Sequence, residues 1–551
     1  MKLDVRRFLP FLAWPRPDAL LLRGEVMAGL TVSLVIIPQA VAYAALAGMP
    51  LVTGIYASFI PALIAVLWSA SPRLSVGPTA LSSLLVGASL AGLAEPGGAQ
   101  WVALAAWLAL MSGVIQLGLG IGRFGWILKL VSSPVLAGFT QAATVLIVLS
   151  QLPALVGLQG GWSLANPPSW HVNPAAAGFG VLALLVLVAG RRLAPKAPVV
   201  MAVVIGTAVL SYVIGFAGAG GAVIGSLPSG VPSLIFPGLL SWGVFGQLVV
   251  PAMVISLVSF LETASSAKVE QQQVQKPWNE NQDLIAQGLA KIAAGLTGAF
   301  PTSSSFSRSA LNLYAGARTG WATLFTVLVV WLVLLWFTPA LFHVPQAVLA
   351  AVVIAAVINL FQPMVFIRLW RVLRVEALTM GVTFAVTLMT APRIYWGVLA
   401  GVLVGLSHFL HHRLHPRIIE TGLHPDGSLR DRHLWKLPPL AAHMVALRMD
   451  AELDFATANS LERRIFDELL AHPDTRHVCL FAQPINRMDA TGIEVFAALR
   501  RSLMAQGITL HISGMKLPVE TLLRNAGELA EHPLLKLYRT DAEALQAFAS
   551  L

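Results

Sequence analysis

Charge is scarce in this chain. Only 11% of its 551 residues are Asp, Glu, Lys or Arg, and 56% are hydrophobic, whereas soluble domains carry about a quarter charged residues. That excludes a soluble protein over most of the length and points to a polytopic α-helical membrane protein. Cysteine is nearly absent: Cys479 stands alone, which excludes an internal disulfide and any cysteine-rich metal site. A signal peptide is missing too. Prolines break the short apolar run of MKLDVRRFLPFLAWPRP and no small-residue cleavage site follows, so residues 1–24 are expected to stay as a cytoplasmic segment. No phosphate-cradling Gly loop with Lys, no Ser/His/Asp spacing and no HExxH occurs, so no enzyme and no cofactor is expected.

The charge that exists is unevenly placed. Residues 420–551 hold 17 of the 26 acidic residues and 14 of the 36 basic ones, so the net +10 belongs to the first 419 residues. It reflects membrane topology and not nucleic-acid binding. Fourteen apolar stretches recur between residues 25 and 412, each able to cross or nearly cross a hydrocarbon core of ~30 Å. Arg23, Arg73, Arg123 and Lys129, Arg191, Arg192 and Lys196, Lys268 and Lys276, Arg318, Arg368 to Arg374, and Arg413 fall in every second connection, with Arg393 the main exception. The positive-inside rule then puts both termini in the cytoplasm. The expected division is a transmembrane domain at 25–415, a linker at 416–435 and a cytosolic α/β domain at 436–551. In the last, strand-like 443–450, 476–482 and 508–514 alternate with helical 456–471, 490–505, 517–526 and 540–549.

One hydroxyl-rich, cationic patch, FPTSSSFSRSALN at 300–312, interrupts the apolar pattern. From Ser307 to the cytoplasmic marker Arg318 a helix spans roughly 16 Å, about half the membrane core. Ser305 to Arg308 therefore fall near the midplane, where a charge costs about 2.5–3.5 kcal/mol. Irregular backbone survives at that depth only when it lines a cavity or is buried in protein. A half-helix starting there aims unpaired N–H groups inward, and with serine donors and a guanidinium it prefers an anion. A second break, SVGPTALSSLL at 75–85, has Gly77–Pro78 opening the third span. Either break alone reads as a packing kink. Paired and inverted, they predict 14 transmembrane segments as a 7+7 inverted repeat with broken third and tenth helices.

The stretches PQAVAYAALAGMPLVTGIYASFIPALIAVLWSASPRLSVGPTA (38–80), SSPVLAGFTQA (132–142) and NQDLIAQGLAKIAAGLTGAFPTSSSFSRSALNLYAGART (281–319) resemble the SulP anion transporters, bacterial relatives of the SLC26 family. The likeness runs over nearly the whole chain. Ser305, Phe306, Ser307 and Arg308 match the family's anion-site turn, whereas Ser303–Ser304 replaces a more usual Thr–Gly and Lys291 stands where Asn is common. The resemblance implies a substrate between the starts of spans three and ten, faced by span one. It thereby nominates Gln39, Tyr43, Thr79, Ser305, Ser307 and Arg308 as substrate-binding residues. It further implies a homodimer in the cell inner membrane, in contact with lipid. The expected activity is secondary transport of a small inorganic or organic anion, sulfate first, with bicarbonate or a C4-dicarboxylate next. An uncoupled channel and a non-transporting sensor are the competing classes.

Among the nine acids before residue 420, Glu262 alone sits within an apolar segment; Glu25, Glu95, Glu270, Glu280, Asp283 and Glu376 fall at span ends or in loops. Its bland reading is a structural partner for Arg308 or a backbone amide. Its sharper reading is coupling. It can carry H+ with the substrate or, with Ser266 at i+4, ligate Na+, as the matching Asp does in sodium-coupled members of the resembled family. Glu in place of Asp favours the proton. His408, His411, His412 and His415 share one helical face, but beside Arg413 they read as a polar flank and no metal site is assigned. Finally, RMDATGIEVFAALRRSL (487–503) resembles the STAS domain. Asp489 is placed to cap a helix, and Ala490 occupies the position that is a phosphorylatable serine in anti-sigma-factor antagonists, so that phosphoswitch is excluded.

Overall fold

The computed structural model describes residues 9–158, 172–193, 198–275 and 277–551. Asp4, Lys196 and Lys276 lie outside them. The chain divides after Gly405 into a helical unit and a C-terminal unit.

In the helical unit, six helices among the described residues are long and apolar enough to cross a membrane: Ala19–Leu46, Ala99–Ile121, Ser133–Leu155, Trp242–Gln272, Trp321–Leu341 and Gln346–Val372. Shorter apolar helices accompany them, among them Val52–Trp68 and Ala80–Leu90. Eight elements position the site: α1 (Ala19–Leu46), β1 (Val76–Gly77), α2 (Ala80–Leu90), α3 (Ala99–Ile121), α4 (Trp242–Val274), α5 (Glu280–Leu296), β2 (Ser303–Ser304) and α6 (Phe306–Tyr314). Small residues let α3 and α5 close on each other. A Cβ on Gly288 would stand 2.6 Å from Leu117 N, and one on Gly113 2.8 Å from the Gly288 carbonyl. Gly288 and Gly295 flank Lys291 on one face of α5, so this contact buries the lysine.

Three acids expected at span ends or in loops are buried instead. Glu25 accepts the backbone N–H groups of Arg318, Thr319 and Ala322, which caps the Trp321 helix. Asp283 accepts from Ser69 Oγ at 2.6 Å, Ala70 N at 2.8 Å, Ser71 Oγ at 2.8 Å and Trp278 Nε1 at 2.6 Å. Glu270 pairs with Arg73 Nε at 2.9 Å. Hydropathy windows miss them because each is neutralised by partners far away in sequence.

The C-terminal unit is a six-stranded mixed sheet in the order β4-β3-β5-β6-β7-β8. Its strands are β3 (Ile418–Leu423), β4 (Leu429–Asp431), β5 (Met444–Met449), β6 (His477–Phe481), β7 (Thr509–Ser513) and β8 (Leu535–Tyr538). Period-two alternation builds two cores. Val445, Leu447, Val478 and Leu480 face the helices Ala458–Ala471, Ala490–Ala505 and Leu517–Asn525, while Met444, Ala446, Cys479 and Phe481 face Asp541–Phe548. Asp489 caps the Ala490–Ala505 helix by accepting Gly492 N–H at 2.8 Å. The stretch 416–435, expected as a linker, carries β3 and β4. Ile418 to Glu420 pair antiparallel with Met449 to Leu447, and the buried Glu420 takes Arg432 and His433 as partners. Its polar residues read as a linker from sequence because the pairing that orders them is tertiary.

Two expectations follow. A chain ending at residue 415 should leave a monodisperse helical unit in detergent. One ending at residue 429 should aggregate, because β3 then exposes an unpaired edge; size-exclusion profiles of the two compare directly. Second, burial, assisted by His477 and then Lys536, pushes His511 down to about 4, with Tyr538 Oη and His477 Nδ1 each 3.1 Å from its ring nitrogens. An unfolded histidine titrates near 6.5. Between these values the unfolded state binds the extra proton, so stability present above about pH 6.5 is lost as pH falls toward about 4. Amide exchange in Thr509–Ser513 should accelerate over that window beyond the intrinsic change, and a His511→Gln variant should lack the slope.

Candidate functional site

The two sequence breaks meet. Val76 pairs with Ser304 and Gly77 with Ser303 in an antiparallel ladder, so backbone groups that no helix satisfies satisfy one another. Ser305 N–H donates to the Ser75 carbonyl at 3.0 Å, and Ser75 N–H donates to Ser309 Oγ at 3.0 Å. Within three residues of the ladder each chain enters a helix. Thr79 is the N-cap of α2, accepting Ser82 N–H at 3.3 Å, and Ser305 is the N-cap of α6, accepting Arg308 N–H at 3.4 Å. Pro78 therefore precedes the cap; it does not itself open the helix.

Arg308 leaves α6 and crosses to the other break, almost fully buried. Its Nε donates to Ser75 Oγ at 3.3 Å, Nη1 to Gln39 Oε1 at 3.3 Å and Nη2 to the Pro78 carbonyl at 3.0 Å. A Cβ on Gly77 would stand 3.4 Å from Nη2 and 3.2 Å from Ile36 Cδ1, so glycine keeps that approach open. Tyr43, one turn beyond Gln39 on α1, is buried and within electrostatic reach of the guanidinium. Glu262, from α4, closes the group: its Oε2 accepts Thr79 Oγ at 3.0 Å and Ser82 Oγ at 3.4 Å.

Gln39, Tyr43, Thr79, Arg308 and Glu262 thus converge. The other nominated residues sit differently. Ser307 is exposed, with its hydroxyl 3.3 Å from that of Ser305. Ser266 is buried with its hydroxyl donating to the Glu262 backbone carbonyl at 2.9 Å. Helical back-bonding of this kind is the default for a buried serine, and i+4 spacing alone does not reveal it.

Lys291 was overlooked as a site residue. It is fully buried, and its Nζ donates to Ser259 Oγ at 2.6 Å and Gln116 Oε1 at 2.9 Å. The signal was legible, since the rule that singled out Glu262 as an intramembrane acid applies equally to a base. Ser75 and Ser82 were inside the quoted break but carried no spacing signal of their own. A cavity of about 930 Å³ lies elsewhere, lined by Gly48, Trp101, Gln151, Gln346 and Pro392 among others, and none of its lining residues is charged. It lacks what an anion needs. The convergence at the breaks has it: a fixed guanidinium, hydroxyls and two helix starts.

Residues 22–383 match the model of the sulfate permease family, and residues 440–544 that of the STAS domain. A probable sulfate transporter of Mycobacterium tuberculosis is 32% identical over 96% of this chain and 95% of its own length. The sodium-independent sulfate anion transporter of Bos taurus is 30% identical over 95% and 88%. Among solved structures, the murine Solute Carrier 26 family member A9 anion transporter, inward-facing, superposes with a TM-score of 0.89 at 20% identity, over 100% of this chain and 95% of the other. The transmembrane domain of a cyanobacterium bicarbonate transporter gives 0.60 at 20% identity, over 71% and 99%.

Replacing Arg308 by Ala should abolish stabilisation of the purified protein by sulfate, read as the sulfate-dependent shift in melting temperature. Folding should survive, because the ladder and both caps remain. An unchanged sulfate shift in a folded variant would place the anion elsewhere.

Proposed function

The chain belongs to the sulfate permease family and carries a C-terminal STAS domain, and from that premise we propose that it is a secondary active transporter importing sulfate together with a proton. The coarser part is plain: this is a multi-pass membrane anion transporter and not an enzyme. The finer reading comprises fourteen spans in two inverted seven-span halves, an inner-membrane location with both termini cytoplasmic, and a homodimer. Its substrate site is Gln39, Tyr43, Thr79, Ser305, Ser307 and Arg308. Sulfate is chosen because the mycobacterial and bovine relatives are named for it.

The observation that carries the coupling is the nature of Glu262's partners. Glu25 accepts only backbone N–H groups, and Asp283 accepts backbone and indole N–H groups beside the Ser69 and Ser71 hydroxyls; an N–H group can donate but never accept. Glu262 accepts from the hydroxyls of Thr79 and Ser82. A hydroxyl can turn and accept as readily as it donates, so these partners satisfy the carboxyl with or without its proton. Thr79 also begins α2, beside the Arg308 guanidinium on Pro78, so proton and anion share one structural element. An uncoupled channel needs no such carboxyl. Against the sodium alternative, the bovine relative is by name sodium-independent.

Glu262→Gln keeps size and hydrogen-bonding reach but cannot release a proton. In proteoliposomes the variant should still exchange radiolabelled sulfate between the two sides while failing to accumulate it under an inward proton gradient. Accumulation by the variant at the wild-type level would make Glu262 a structural residue.

A further inference from the structure

We infer that Lys291 is a tethered cation: its ammonium supplies, from within the protein, the positive charge beside Glu262 that a carrier coupled to a metal cation takes from solution, and it thereby makes this site sodium-independent. The inference rests on the transport reading above and assigns a role to a residue outside the nominated site.

Gly288 and Gly295 let α5 close on α3, and a Cβ at either would stand within 2.7 Å of backbone across the contact. The Lys291 stem lies in that contact, with no part of the residue exposed. An isolated ammonium in such surroundings is heavily penalised unless oxygens and an opposite charge surround it. Two oxygens are in place. Gln116 cannot offer its amide the other way round, because its Nε2 donates to the Ser256 carbonyl at 2.7 Å and thereby turns Oε1 toward Lys291. Ser259 Oγ takes the ammonium at 2.6 Å, and its backbone carbonyl holds Ser303 Oγ at 3.2 Å, in the ladder itself. The opposite charge is Glu262, one turn on from Ser259 on α4 and within electrostatic reach of Lys291. Side-chain amide, hydroxyl and carboxylate oxygens are the hard donors an alkali cation would use. Here an amine takes the amide and hydroxyl oxygens, while the Glu262 carboxylate stands on Thr79 and Ser82.

The charge count then closes. Arg308 and Lys291 contribute two positive charges at the paired breaks. With a proton on Glu262 they balance a dianion, so sulfate and one proton leave the buried site neutral. Without Lys291 the same load leaves an uncompensated negative charge, which a metal cation would have to cancel.

The test compares full-length wild type with Lys291→Asn, whose amide is an oxygen donor without charge. Melting is followed in choline chloride and in sodium chloride. Uptake of radiolabelled sulfate into proteoliposomes under an inward proton gradient is measured in the same two salts. Wild type should be indifferent to Na+ in both measurements. The variant should melt lower in choline and recover with Na+, and its uptake in choline should fall by at least about tenfold, as expected when a buried charge loses its compensation. Wild-type melting and uptake of the variant in choline, absence of a Na+ response in its melting, or a Na+ requirement of the wild type would each overturn the inference. If Lys291→Asn does not fold, the double variant with Glu262→Gln removes both charges. A folded double variant with no Na+ response supports the pairing, and one as unstable as the single variant refutes it. Failure of wild type to take up sulfate defeats the transport reading alone, because the melting comparison still reports on Lys291.

Discussion

Backbone N–H and C=O groups at the Val76–Gly77 and Ser303–Ser304 breaks have no helix to pair in, and hydrocarbon offers no water to replace one. Each group left unpaired in such surroundings costs several kcal/mol. The two breaks are therefore tolerable only together, and the four-residue ladder is the solution. Everything nearby follows from holding it. Asn312 Nδ2 donates to the Arg73 carbonyl at 2.8 Å, Ser309 takes the Ser75 N–H, and Gln287 Nε2 donates to Ser304 Oγ at 3.0 Å. Side chains of α5 and α6 thus grip the extended segments from both sides. The ladder also fixes where α2 and α6 begin, and hence where two partial positive charges and two capping hydroxyls stand.

Three charged groups with different partners surround that ladder, and the partner type separates their work. Arg308 ties the α6 side to the α2 side through Ser75 and Pro78, and reaches α1 through Gln39. Lys291 is enclosed by α3 and α4. Glu262 faces hydroxyls from the start of α2. No two of the three share a helix, so their proximity exists only in the assembled fold. In contrast, Glu25 spends its oxygens on a helix start, and Asp283 on the hydroxyls and amides of Ser69 to Ser71 and on the Trp278 indole. They stabilise the junctions of helices.

The sequence made some of this legible and hid the rest for physical reasons. The breaks were visible because hydroxyls, Gly and Pro interrupt apolar runs, and because Arg308 is costly where the span arithmetic puts it. The α/β alternation after residue 440 was visible because period-two strands such as His477–Phe481 bury both faces in turn. The ladder was not legible: two residues per strand carry no periodicity, and their register depends on segments more than 220 residues apart. Nor was the orientation of Ser266, since spacing gives a face but not a rotamer. Strands β3 and β4 were taken for linker because their ordering comes from Glu420 with Arg432 and from pairing with β5. Lys291 is readable as an intramembrane base, but its partners Gln116 and Ser259 lie on other helices and carry no sequence signal.

Arg308 is bonded within the protein, and on the proposed reading it also takes the anion, which has a mechanical consequence. Its contact with Gln39 is made to a neutral amide oxygen at 3.3 Å, a weaker acceptor than an anionic oxygen, whereas its bond to the Pro78 carbonyl at 3.0 Å holds the α2 break. A charge-assisted bond to an oxyanion is about twice as strong as one between neutral groups. On that reading, an anion arriving between the helix starts would compete best for the two 3.3 Å contacts, to Gln39 and to Ser75. Releasing Gln39 loosens α1 from α6 while leaving the ladder and the α2 contact in place. Binding would then be felt first as a change in how α1 rests on the paired breaks, which couples occupancy of the site to the helix that faces it without disturbing the backbone pairing on which the site depends.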